Sequence, residues 1–284
     1  MHHDRASAPL VRSRWSELAK RALSALVLGL IGVSATLVGV WPLAFLVAIV
    51  TTLLAWEWGR LVRNRTFDDV FYIHVATLWI AVALAAAKLP VYALTALVVG
   101  AITIAIRRST EYNKLSAVGV LYIGFAVVGI IWLRTDTLGA FAVLFVFACV
   151  WAHDTVAMLS GRAVGGPRLW PSVSPKKTWS GAISGIAASI IVATAAAFLL
   201  ENSSVVWFMI LGVVLGAAAL LGDLAESGLK RLGRVKNASG LIPGHGGFLD
   251  RLDGAIASFI LACLIALSLN ESAPARALLQ LYAG

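Results

Sequence analysis

Residues 204–226 read SVVWFMILGVVLGAAALLGDLAE. The run is apolar until its last turn, and about 20 such residues cross the hydrocarbon core of a bilayer as a helix. It then closes on two acids three residues apart, at a depth where ionised groups are costly and usually have a function. Working outward, eight more apolar runs of this kind lie at about 22–40, 42–56, 70–87, 89–106, 115–133, 137–160, 179–200 and 253–270. The expected fold is therefore all-α: a polytopic integral membrane protein of about nine transmembrane helices. Eight or ten spans stay open, because Trp41-Pro42 leaves little room for a turn and proline is usual at a first helical position.

Composition points the same way. Of 284 residues, 60% are hydrophobic and 13% charged, against roughly 25% charged in a soluble domain. Glycine and alanine inside the spans let helices approach closely in lipid. The net charge is +9, and all of the 23 Lys and Arg except Lys88, Arg134 and Arg276 fall on the N-terminal side of the nine-span arrangement. The positive-inside rule then makes the N-terminus and the long loops cytoplasmic and the C-terminus external. Because the charge is spread over several short loops, it argues for lipid headgroups and against nucleic acid.

The first span has a basic flank like a signal peptide, but it runs on through Trp41-Pro42 with no small-residue cleavage site, so it reads as an uncleaved anchor. Cys149 and Cys263 both lie within spans, which argues against a disulfide framework. His2 and His3 sit in a polar terminus and carry no role. The chain is one membrane domain: a cytoplasmic tail (1–21), a transmembrane scaffold (22–135), a catalytic transmembrane region with cytoplasmic loops (136–270) and a C-terminal tail (271–284).

The candidate chemistry lies in the second half, where His153, Asp154, Asp223, Glu226, Asp250 and Asp253 sit at span ends. In GDLAESGLKR (222–231), the i, i+3 spacing puts Asp223 and Glu226 on one helix face, which Lys230 continues. A salt-bridged helix end would account for that trio by itself. Asp250 and Asp253 repeat the spacing at the start of the last span, where a helix N-terminus favours negative charge. Two carboxylate pairs on neighbouring helices could hold a hard divalent cation through oxygen, magnesium being the natural candidate.

Before them lies Pro243-Gly244-His245-Gly246-Gly247, whose glycines allow close backbone approach and could point N–H groups at an anion. SPKKTW (174–179) adds Lys176 and Lys177, point charges suited to phosphate. GRAVGG (161–166) partly matches a dinucleotide fingerprint, but it follows a membrane helix rather than a strand, and that reading is discarded. Divalent metal, basic clusters and a glycine-rich loop at a bilayer surface suit phosphoryl or nucleotidyl transfer between a cytosolic nucleotide and a lipid.

SGLKR (227–231), Lys236 and LIPGHGGFLDRLD (241–253) together resemble the signature of the phosphatidate cytidylyltransferase family, the CDP-diacylglycerol synthases. Asp154-Thr155 with Gly161-Arg162, SPKKTW and GDLAES resemble that family's other motifs, in order. The resemblance covers about the C-terminal 130 residues of the sequence. It implies transfer of CMP from CTP to phosphatidate with release of pyrophosphate, dependent on Mg2+ and allowing a second cation, at the cytoplasmic face of a bacterial inner membrane. A homodimer is compatible with it.

The resemblance also implies Asp223 and Asp250 as metal ligands. It implies catalytic roles for these two and for Lys176, Lys177, His245 and Arg251. Substrate contacts would come from Asp154, Arg162, Ser174, Lys230, Arg231, Lys236, Gly246 and Gly247. The pattern departs from the family at Asn237, where Asp usually follows the lysine, at Met158, where an aromatic is common, and at Ser180, where Glu is frequent.

Three other readings compete. A CDP-alcohol phosphatidyltransferase is partly echoed by Asp253-Gly254-Ala255-Ile256-Ala257-Ser258, but the arginine of its motif is absent. A CTP-dependent lipid kinase could use the same apparatus to deliver the γ-phosphoryl. A transporter would place charges near mid-membrane and show inverted repeats, and neither is found.

Overall fold

A computed structural model of the chain describes residues 13–107, 111–233, 239 and 247–280, with side chains described from residue 26 onward except at 111. Among these residues the helices are α1 (Ser13–Val38), α2 (Val40–Arg63), α3 (Asp69–Ala86), α4 (Pro90–Ile106), α5 (Glu111–Arg134), α6 (Gly139–Ala163), α7 (Trp179–Ala197), α8 (Val205–Leu232), α9 (Leu249–Leu269) and α10 (Pro274–Leu278). Seven of them are long and apolar enough to cross a membrane, and shorter apolar helices run Leu26–Val38 and Pro90–Ile106. These correspond one for one with the nine expected runs.

The second span is longer than expected. Glu57 and Arg60 end the apolar run, but the helix continues to Arg63 and stops at left-handed Asn64. Only Gly39 separates α1 from α2, and Pro42 lies in the third position of α2 rather than the first. No intrahelical partner is missed there, because the first four N–H groups of a helix have none.

One departure from an all-helical chain is a hairpin of β1 (Arg168–Trp170) and β2 (Ser174–Thr178), paired antiparallel with Arg168 opposite Thr178 and Trp170 opposite Ser174. SPKKTW is thus a strand that runs straight into a helix. Thr178 caps α7 by accepting the Gly181 N–H at 3.1 Å.

Helices α2 to α5 pack on one another, α6 to α9 form a second group, and α5 joins the groups through α6 and α9. Within the C-terminal tail, residues Pro274–Leu278 form α10. Helix α10 packs on α9 with Leu278 fully buried, and Arg276 pairs with Asp136 at 3.0 Å. That pair, Lys88 in the α3–α4 turn and Arg134 (bonded to the Thr36 carbonyl) lie at one end of the bundle. The ends of α2, α6 and α8 and the starts of α7 and α9 lie at the other.

Small residues set the closest crossings. A Cβ on Gly222 would collide with the Asp253 carbonyl, and one on Gly254 would lie 3.2 Å from the Ala219 carbonyl. Helices α8 and α9 therefore meet backbone to backbone beside Asp223 and Asp253.

Candidate functional site

Several elements bring charged side chains to this end of the bundle. From α8, Glu226 is 3% exposed and forms an ion pair one turn on with Lys230. The Lys230 ammonium also reaches Asp250 Oδ1 of α9 at 2.9 Å. Nearer the crossing, Asp223 Oδ2 lies 2.6 Å from the Lys177 ammonium, and its Oδ1 accepts the Ser227 hydroxyl at 3.4 Å. The spacing of GDLAESGLKR and FLDRLD thus brings carboxylates of α8 and α9 together, with Lys177 paired to Asp223 and Lys230 shared between Glu226 and Asp250.

The hairpin is docked on α8 at two points. Lys177 Nζ donates to the Leu220 carbonyl at 3.5 Å, and Arg231 Nε donates to the Val173 carbonyl at 3.3 Å. Neighbouring strand residues point to opposite faces, so the two lysines of SPKKTW divide. Lys177 turns toward Asp223 while Lys176 is exposed. Ser174 is half-buried at the turn of the hairpin.

Asp253 is buried among these charges. Its Oδ1 accepts the Gly254 N–H at 2.7 Å, its backbone carbonyl accepts the Tyr122 hydroxyl at 3.3 Å, and Asp223, Asp154 and Lys177 lie within electrostatic reach. Asp154 on α6 is half exposed, with His153 Nδ1 3.1 Å from its Oδ1. Arg162, in the last turn of α6, and Arg251, in the first turn of α9, are exposed on the same end. Lys236, His245 and Gly246 lie outside the described residues, as does Asn237.

The Gly247 N–H donates to Asp250 Oδ2 at 2.8 Å, so the anion this amide faces is a carboxylate of the chain itself. The N-cap of α9 is Phe248, which makes no side-chain capping bond, and Asp250 reaches back to Gly247 from the first turn.

The residue that sequence reasoning missed is Glu57, from the helix group read as scaffold. Fully buried in α2, it accepts hydrogen bonds from the Ser239 hydroxyl and from the backbone N–H groups of Phe248 and Leu249. A carboxylate inside an apolar helix was the available signal, but ending the second span at residue 56 left Glu57 in a loop.

Among the described residues no group of three or more His, Cys, Asp or Glu side chains could hold a metal ion as arranged. The donors still fit magnesium, which binds through one or two carboxylates and completes its shell with water and substrate phosphate rather than an all-protein cage. Asp223, inside the last three turns of α8, and Asp250, in the first turn of α9, supply such oxygens, the first paired with Lys177 and the second with the Lys230 that Glu226 shares.

Comparison with known proteins gives the arrangement its context. A model of the cytidylyltransferase family matches residues 19–269. The chain belongs to that family. Its relatives include a Brucella abortus protein named phosphatidate cytidylyltransferase, 34% identical over 255 residues, covering 88% of this chain and 93% of the relative. A Rickettsia bellii protein of the same name is 36% identical over 169 residues, 55% of this chain and 73% of its own. One from Haemophilus influenzae is 44% identical over 125 residues, covering 42% and 43% of the two chains. The match to this cytidylyltransferase thus extends through the N-terminal helices, well beyond the C-terminal motifs.

Proposed function

We propose that this cytidylyltransferase transfers CMP from CTP to phosphatidate, giving CDP-diacylglycerol and pyrophosphate. The observation that carries the reading is the carboxylate–lysine cluster across the α8–α9 crossing, in a chain that matches a phosphatidate cytidylyltransferase over 93% of that relative's length. An oxygen of the phosphatidate phosphate attacks the α-phosphorus of CTP. The new P–O bond forms as the bond from the α-phosphorus to the α–β bridging oxygen breaks, and pyrophosphate carries away that electron pair. The attacking oxygen is already ionised, so little general-base work is required.

Both reactants are anions, and their repulsion is the main obstacle. Lys177, Lys230, Arg231 and Arg251 offset it, with Lys236 and His245 assigned the same task from the sequence. Asp223 and Asp250 would hold Mg2+, whose positive charge further draws the phosphates together.

The site faces the cytoplasm of a bacterial inner membrane in this reading, with the N-terminus cytoplasmic and the C-terminus outside. The segregation of basic residues supports it: among the described residues Lys88, Arg134 and Arg276 stand at the end opposite the site, as the positive-inside rule requires.

CTP labelled at either the α- or the γ-phosphate tests the reaction. The α-label is expected in the lipid product. The γ-label appearing there instead would make the protein a CTP-dependent lipid kinase and overturn the proposal.

A further inference from the structure

The segment joining α8 to α9 carries the most distinctive motif of the sequence, and α2 holds it at both ends. Gly233, just past α8, packs so closely that a Cβ there would lie 2.8 Å from the Leu61 carbonyl. At the far end, a Cβ on Gly247 would lie 2.5 Å from Glu57 Oε1. Between them Ser239 donates its hydroxyl to Glu57 Oε1.

Glu57 also caps α9 from a distance. The opening N–H groups of a helix have no intrahelical partners, and Phe248 makes no side-chain cap of its own. Glu57 Oε1 accepts the Phe248 N–H at 2.9 Å and Oε2 accepts the Leu249 N–H at 2.6 Å. The next residue is Asp250, whose two oxygens face the Gly247 N–H and the Lys230 ammonium. One buried carboxylate on α2 thus fixes the backbone on which Asp250 stands.

We propose that Glu57 is a positioning residue for cytidylyl transfer: by binding the Phe248 and Leu249 amides it sets where Asp250 presents its carboxylate. The proposal rests on the role given to Asp250 above. A carboxylate suits the task because all its contacts are donors. Glutamine would turn an NH2 group toward one of them, a donor facing a donor.

The test uses purified full-length protein carrying Glu57→Gln or Glu57→Asp, with Asp250→Asn in parallel. Steady-state constants, the Mg2+ concentration for half-maximal rate, thermal unfolding and hydrogen exchange of the 247–250 amides are read together. Glu57→Gln is expected to lower kcat by about 10- to 100-fold, the scale of an ångström-sized misplacement. The phosphatidate KM should stay within about twofold, the Mg2+ requirement should rise, and exchange should quicken at Phe248 and Leu249. Glu57→Asp keeps the charge on a shorter stem and should fall between; it decides alone, by the same measures, should Glu57→Gln fail to fold.

Unchanged kcat in a stable variant would overturn the proposal. So would a loss of rate that only follows a general loss of thermal stability, with the Mg2+ requirement unmoved. Transfer retained by Asp250→Asn would instead remove the role of Asp250, and that failure is separate because it does not depend on the Glu57 variants.

Discussion

The ammonium of Lys177 lies 2.6 Å from Oδ2 of Asp223, so the hairpin delivers its positive charge to the carboxylate at the α8–α9 crossing. Lys176, next to it in sequence, is exposed on the other face of the strand. The two should therefore be unequal. Lys177→Met is expected to lower kcat by about 10²- to 10³-fold, as for removal of one group that stabilises developing charge, and Lys176→Met by far less. Steady-state kinetics of the two purified variants checks this, and equal losses would contradict it.

Gly222 predicts a packing effect with a built-in control. Alanine there would drive its methyl into the Asp253 carbonyl, whereas at Gly228 the nearest atom, Val173 Cγ1, is 4.0 Å away. Gly222→Ala should destabilise the protein by about 1–3 kcal/mol, as overpacking does, and displace Asp253 from Asp223. Gly228→Ala should be neutral or slightly stabilising, since alanine is the better helix former. Thermal unfolding in detergent distinguishes them.

At the opposite end, Asp136 ties the α5–α6 turn to α10. Burial pushes its carboxyl up, but the backbone N–H groups of Arg276 and Thr137 and the Arg276 guanidinium outweigh that and hold it below the ordinary 3.8. A carboxyl lowered in the folded state contributes stability that is present above the unfolded value and lost as pH falls through the folded one. Asp136→Asn should therefore lower the unfolding temperature at neutral pH, by a loss of about 1–3 kcal/mol. The gap from the unaltered protein should narrow below about pH 4. Activity at permissive temperature should be unaffected, because the site is at the other end of the bundle.

What the sequence made legible follows from the range of the forces concerned. Spans are written locally as apolar runs, and all nine have a helical counterpart among the described residues. The Glu226–Lys230 pair was legible because i, i+4 neighbours share a helix face. The hairpin was not, because RLWPSVSPKKT lacks the apolar alternation that marks a strand and is held by α8 through Lys177 and Arg231. Glu57 was least legible of all, since its donors lie 182, 191 and 192 residues away and nothing near it in sequence announces them. The same distance explains why the N-terminal helices read as scaffold when one of them braces the start of α9.

The most direct test is transfer of α-labelled CMP to phosphatidate by purified Asp250→Asn protein, titrated with Mg2+ beside the unaltered chain. Asparagine keeps the shape of the side chain and loses its charge, so the protein should stay folded while labelled lipid falls by about 10²-fold or more at every Mg2+ concentration. Label transferred at the unaltered rate, with the same Mg2+ dependence, would contradict the role of the α8–α9 carboxylates.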